Sequence, residues 1–171
     1  MKKIIAVSLI LILIGIYNSL KLEAFKIPDE AIRLRVIANS NSVMDQSIKM
    51  EVKEKLEEKI FLLLENIDNV VEANQIIENN LDLFNTEVYQ ILKDNNYRLD
   101  YGMNFFPEKE YKGITYDEGY YQSLVVTIGE GAGDNWWCVL FPPLCLLEAE
   151  ESSEVEYKFF VQELIDNIFN R

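Results

Sequence analysis

A strand built from Asn135 to Phe141 has no side that can face water. Successive strand side chains point to opposite faces of a sheet. Trp136, Cys138 and Leu140 would therefore lie on one side, and Trp137, Val139 and Phe141 on the other. Both sets are apolar and both need cover. A pair of helices laid on a sheet covers one side only. The second cover has to come from the C-terminal helix, from the N-terminal leader region, or from another protein. The last option makes Trp136, Trp137, Val139, Phe141, Pro142 and Pro143 candidate partner-binding residues. Trp dominates binding hot spots, and a rigid Pro-Pro corner lowers the ordering cost of an interface.

The helices are legible from their period. Ser42 with Asp45 three residues on reads as a capping box at a helix start. Met44, Ile48, Val52, Leu56, Ile60, Leu63 and Ile67 then recur every three or four residues, with Lys and Glu filling the solvated face. A second stripe runs from Val70 through Ala73, Ile77, Leu81, Phe84, Val88 and Ile91, with Asn79-Asn80 as a weak point where the helix bends or breaks. Val155, Phe159, Leu164, Ile165 and Ile168 give a C-terminal helix its apolar face, and the acidic stretch Glu148–Glu156 before it reads as an exposed linker.

The strands show a period of two. Ile32, Leu34, Val36 and Ala38 alternate with Arg33 and Arg35, which predicts a half-buried strand. Tyr97–Phe105 alternates likewise, a short strand is expected over Glu110–Tyr116, and Ser123–Ile128 alternates again. Gly129-Glu130-Gly131-Ala132-Gly133-Asp134 reads as a hairpin turn into the last strand. The predicted fold class is α+β: an antiparallel sheet of four to five strands, two long helices packed on one face, and a C-terminal helix.

Lys2 and Lys3 precede an apolar run from Ile4 to Ile16 whose one polar side chain is Ser8. This is the pattern of a signal peptide, or of an uncleaved anchor if the span reaches Leu20. Both readings put residues from about 25 onward outside the cytoplasm. The expected organisation is a leader over 1–25, a linker over 26–31, an α+β domain over 32–147, and an acidic linker with a helix over 148–171. In an exported domain, Cys138 and Cys145 are expected to pair, the alternative being buried free thiols.

Several chemistries lack their parts. The chain has no histidine, which removes Ser-His-Asp and Cys-His catalysis and histidine metal sites. Two cysteines make too poor a set for structural zinc. The G-x-G-x-G string at Gly129–Gly133 leads into a strand, whereas phosphate cradles open a helix. No spacing selects two of the many carboxylates as a catalytic pair. No catalytic residue, cofactor or metal site is predicted. A net charge of −13 disfavours nucleic acid, and the membrane is reached only through an uncleaved leader.

The segment Asn135–Cys145, N-W-W-C-V-L-F-P-P-L-C, resembles the signature of the stage II sporulation protein R family. R-L-R-V-I-A-N-S-N-S at Arg33–Ser42, Asp45-Gln46 with Lys49, Phe106-Pro107 with Lys109 and Tyr111, and Gly119 with Tyr121 and Leu124 support the resemblance. Asn41 departs from it, standing where an aspartate is expected. The resemblance implies a protein exported from the forespore into the space between the two membranes of the developing spore. There it would activate a membrane-embedded aspartic protease of the mother cell, which processes the precursor of sporulation sigma factor E. The signal would be non-enzymatic, with the receptor as the catalyst. Two other classes fit the residues: a secreted cell-wall hydrolase and a membrane-tethered structural protein.

Overall fold

A computed structural model describes residues 27–94, 96–111, 114–145 and 154–169. The expected leader and the stretch from 146 to 153 lie outside the described residues. The strands are β1 (Ile32–Ile37), β2 (Tyr97–Phe106), β3 (Lys109–Tyr111), β4 (Ile114–Tyr116), β5 (Gly119–Ile128) and β6 (Asn135–Phe141). The helices are α1 (Val43–Leu64), α2 (Val70–Asn79), α3 (Leu81–Leu92) and α4 (Glu154–Phe169). Among the described residues no helix is long and apolar enough to cross a membrane.

The four-stranded sheet has the order β2-β5-β1-β6, and it is mixed rather than antiparallel. β1 runs parallel to β5, pairing Leu34 with Leu124 and Val36 with Val126, and antiparallel to β6, pairing Leu34 with Cys138. β5 and β6 would have made the expected hairpin, but β1 lies between them. The alternation of Arg33 and Arg35 hid this, because a strand with two charges reads as half-exposed. β3 and β4 split the expected single strand and pair with each other as a separate ribbon.

One face of the sheet carries an aliphatic core. Ile32, Leu34 and Val36 of β1 and Leu124 and Val126 of β5 meet Val52, Leu56 and Ile60 of α1, Ala73 and Ile77 of α2, and Phe84 and Val88 of α3. The α1 stripe follows the predicted register in its middle. At its ends it differs: Leu64 rather than Leu63 is buried, and Met44, in the first turn of the helix, is exposed. The second helix breaks at Asn80. The Asn80 side chain donates to the Ile76 carbonyl at 2.8 Å, and its backbone N–H to that of Ile77, which closes α2 before α3 starts.

The opposite face holds a second cluster: Ile27, Ala31, Phe106, Tyr116, Tyr121, Trp137, Val139 and Leu144, with Val161 and Ile165 of α4. Ile27 and Ala31 are thus packed into the domain. α4 begins at Glu154, inside the stretch read as linker. Of its predicted apolar face, Ile165 is buried and Leu164 and Ile168 are half-buried, while the side chains of Val155 and Phe159 lie outside the described residues. Phe141 was expected beside Trp137 and Val139. The register slips between Ile32 and Arg33, so that Phe141 pairs with Ile32 while Val139 pairs with Arg33. A bulge of this kind inserts one residue and reverses the facing of the residues beyond it. Phe141 accordingly joins the aliphatic cluster.

Candidate interaction surface

The residues of the Trp-Trp-Cys block are divided between the two cores. Trp137, Val139 and Phe141 are buried, Pro142 is buried, and Trp136 and Pro143 are half-buried. Trp136 lies on the helix side with the Lys53 ammonium 4.7 Å from its ring. Trp137 packs edge-on against Phe106 and Tyr116, with centroids 5.5 and 5.2 Å away. Both faces of β6 are therefore covered by this chain's own elements. Of the six candidate partner-binding residues, Trp136 and Pro143 are the ones that reach solvent.

Arg33 sits at the centre of the aromatic face and is only 1% exposed. Its guanidinium carbon lies 3.3 Å from the Tyr121 ring centroid, 5.2 Å from that of Phe106 and 5.3 Å from that of Trp137. Among the described residues, Nε and Nη1 have no hydrogen-bond partner. Ring quadrupoles thus stand in for the acceptors a buried guanidinium normally takes. Burial holds its pKa below the ordinary arginine value, against the opposing influence of Tyr121. Sequence reading missed this residue as a core element, and its one signal is the surplus of aromatics (Phe106, Tyr116, Tyr121, Trp137) without a matching helix.

The glycine string is a structural latch. Each of its amides is spent within the chain: Gly129 on Asn96 O, Glu130 on Asn39 Oδ1, Gly131 on Ile128 O, Ala132 on Asn39 O, Gly133 on Ala38 O and Asp134 on Asn41 Oδ1. No row of free N–H groups remains to cradle a phosphate. The contacts exist because the β5–β6 connection passes over the end of β1. A Cβ on Gly133 would collide with the Ser40 carbonyl, so the close approach requires glycine. The departure at Asn41 is accommodated, since its side-chain oxygen supplies the acceptor an aspartate would supply. The capping box forms by half: Ser42 Oγ accepts from Asp45 N–H at 3.1 Å, but the Asp45 carboxylate turns to Ser40 Oγ and Asn39 Nδ2 instead of the Ser42 amide. Those hydrogen bonds, Ser40 first, depress the Asp45 pKa.

Cys138 and Cys145 are brought together with Cα atoms 5.5 Å apart, inside the range a disulfide spans. Glu57 Oε1 lies 3.9 Å from Cys138 Sγ. The carboxylate and two sulfurs lie within 4.8 Å of one another. Once joined, the sulfurs are not thiolates and make poor metal ligands.

An open groove of about 770 Å³ lies where the end of α1 meets the end of α4. Phe141 and Pro143 form part of its floor, and Phe61, Leu62, Leu164 and Ile168 line its apolar sides. Leu62 is 66% exposed. Glu58, Glu65 and Asp68 stand in the lining, which contains no Lys or Arg among the described residues. Apart from Phe141 and Pro143, sequence reading singled out none of these as a site. Glu65 falls between the last two stripe residues, Leu63 and Ile67, and Asp68 just past them, where charge reads as ordinary solvated surface.

The family model described as "Stage II sporulation protein R" matches residues 28–151, which takes in the Trp-Trp-Cys block, the latch and the aromatic face. A stage II sporulation protein R of Bacillus subtilis (strain 168) is 36% identical over 138 residues. That match covers 76% of this chain and 60% of the relative, so the chain spans about three fifths of its length. No solved structure matches. With the family model covering well over half of the sequence, the chain belongs to the stage II sporulation protein R family.

Proposed function

We propose that this chain is a sporulation signalling protein that acts outside the cytoplasm, by contact, on a membrane-embedded aspartic protease. In this reading the protease carries the catalytic aspartates and removes the pro-segment of the sigma factor E precursor. The chain itself contributes a shaped surface and no reacting group. It is made in the forespore and reaches the intermembrane space through the leader pattern of Lys2, Lys3 and Ile4–Ile16. The observation that carries the reading is the family match over residues 28–151.

The architecture supports a contact mode. Covering a sheet on both faces, and pinning the β5–β6 connection to the end of β1, holds the surface in a preorganised shape. Preorganisation lowers the ordering cost of binding. The glycine string, the most enzyme-like motif in the sequence, is consumed by that pinning.

The test is reconstitution. Co-expression of this chain, the protease and the sigma factor precursor in a non-sporulating host is expected to yield the cleaved sigma factor. Omitting the chain should leave the precursor intact. Cleavage that proceeds equally without the chain would sink the reading.

A further inference from the structure

The groove between the ends of α1 and α4 combines three features. Its floor and sides are apolar, through Phe141, Pro143, Phe61, Leu62, Leu164 and Ile168. Its remaining lining includes three carboxylates. Glu58 is paired with Lys55 at 3.1 Å, while Glu65 and Asp68 are exposed and carry no ion pair among the described residues. Two helices of 22 and 16 residues also end there, and neither has a basic residue in its last turn. A helix C-terminus carries roughly half a negative charge, which cations ordinarily offset. Carboxylates and helix ends therefore add to one negative potential around an apolar trough.

We infer that this groove docks an amphipathic helical segment of the partner, one that seats an apolar stripe on Leu62, Leu164 and Pro143 and sets Lys or Arg against Glu65 and Asp68. Such segments anchor through residues at i, i+3, i+4 and i+7. This deepens the signalling reading and rests on it for the partner's identity, although the groove's chemistry is independent of that identity. Two other occupants fit worse. The chain's own leader, Ile4–Ile16, is apolar all round with Ser8 as its one polar side chain, so in a one-sided groove it would leave apolar surface in water. A second copy of the chain brings a further −13 of charge to an acidic rim.

The experiment has two arms, both on the full chain. The first measures binding of a designed helical peptide with leucines at i, i+3, i+4 and i+7 and lysines on its flanks. The parent is expected to bind it, and Glu65→Lys with Asp68→Lys should weaken binding tenfold or more. Leu62→Ser should do the same. High salt should narrow the gap between the parent and the charge variant, because exposed charges are screened. A peptide of the same pattern with glutamate flanks should not bind. These positions are exposed, so the thermal midpoint should stay unchanged. The second arm scores sigma factor cleavage in the co-expression host. Loss of cleavage in the Glu65→Lys, Asp68→Lys variant, with a photo-crosslink from position 62 to the protease, supports the docking site. Undiminished cleavage in that variant overturns it, as does a parent that ignores the lysine-flanked peptide. A crosslink from position 62 to the leader or to a second copy also overturns it. If the peptide binds but the parent triggers no cleavage, the signalling reading falls and the groove stands.

Discussion

The two faces of the central sheet are both dry, and they are dry by different means. On the helix side, β1 and β5 present Leu34, Val36, Leu124 and Val126 to the stripes of α1, α2 and α3, and aliphatic groups interlock with aliphatic groups. On the other side, Trp137, Phe106 and Tyr121 close around the guanidinium of Arg33, and Tyr116 packs against Trp137 in the cluster that α4 joins. Dispersion and area burial dominate the first face. The second adds ring–cation attraction and carries the cost of a buried charge whose Nε and Nη1 lack acceptors among the described residues. A core can thus be completed around a cation when aromatics join the aliphatic groups to enclose it, and the cation then reads in sequence as surface.

The sharpest way to break this contrast is to truncate one large side chain on each side. Trp137→Ala is expected to destabilise by about 3–5 kcal/mol, and Phe84→Ala on the helix side by a similar amount, as for large-to-small changes at fully packed sites. Equilibrium urea unfolding checks both. If Trp137→Ala leaves the midpoint where it was, the aromatic face is not core. If it unfolds the domain as Phe84→Ala does, the two faces are equal partners in stability.

The next effect concerns the segment that joins the faces. After β6 the chain places Leu144 in the aromatic cluster and Cys145 in the aliphatic one. A Cys138–Cys145 bridge, with a sequence separation of 7, would close a short loop worth about 2.5 kcal/mol in the chain-entropy model. Cys138→Ala with Cys145→Ala should cost roughly that amount and should loosen both clusters together. Alkylation of the protein purified without reductant, followed by mass measurement, is expected to add no label. Two labels would show free thiols and remove this link between the faces.

How much of this was legible depended on which face was being read. Val52, Leu56, Ile60, Ala73, Ile77, Phe84 and Val88 announced themselves through a 3.6-residue period, because a helix on a sheet must present one apolar stripe. The apolar β6 strand announced that a second cover was needed. It did not announce its pairing partner, since strand order arises from long-range contacts that local period does not encode. Arg33 misled directly: its charge reads as solvent-facing, while in the structure its stem and guanidinium are enclosed. The bulge that turns Phe141 is invisible for the same reason, being a property of the β1–β6 register and not of either strand alone. In the groove, Leu62 and Asp68 come from one end of the helical region and Ile168 from the other end of the chain, so only the fold assembles them.

Arg33 itself offers a smaller and more discriminating change. Arg33→Met keeps an unbranched side chain within the aromatic cluster and removes a buried charge whose Nε and Nη1 lack acceptors among the described residues. Replacing buried charge with packed apolar groups is often neutral or stabilising. The variant is expected to lie within about 1 kcal/mol of the parent or above it, unlike Trp137→Ala on the same face. A loss as large as that of Trp137→Ala would mean that ring–cation attraction, and not apolar packing, holds this face together.

The smallest expected effect falls at the start of α1, on the helix side. Asp45 is held by Ser40, Asn39 and Ser42, and its pKa lies below the ordinary carboxylate value. A group with a depressed folded pKa stabilises fully above its unfolded pKa, near 3.9, and loses that contribution as pH falls through the folded value. Acid should therefore weaken the anchorage of α1 below about pH 4, and Asp45→Asn should flatten that part of the stability profile by lowering the neutral-pH plateau toward the acid value. Denaturant midpoints measured from pH 7 down to pH 2 check this. A variant whose profile still falls as steeply as the parent's would place the acid sensitivity elsewhere than at Asp45. A profile that flattens assigns acid sensitivity to the helix-covered side, at the start of α1. The aromatic side, built on a cation among rings, should respond to acid only after the helix side has opened.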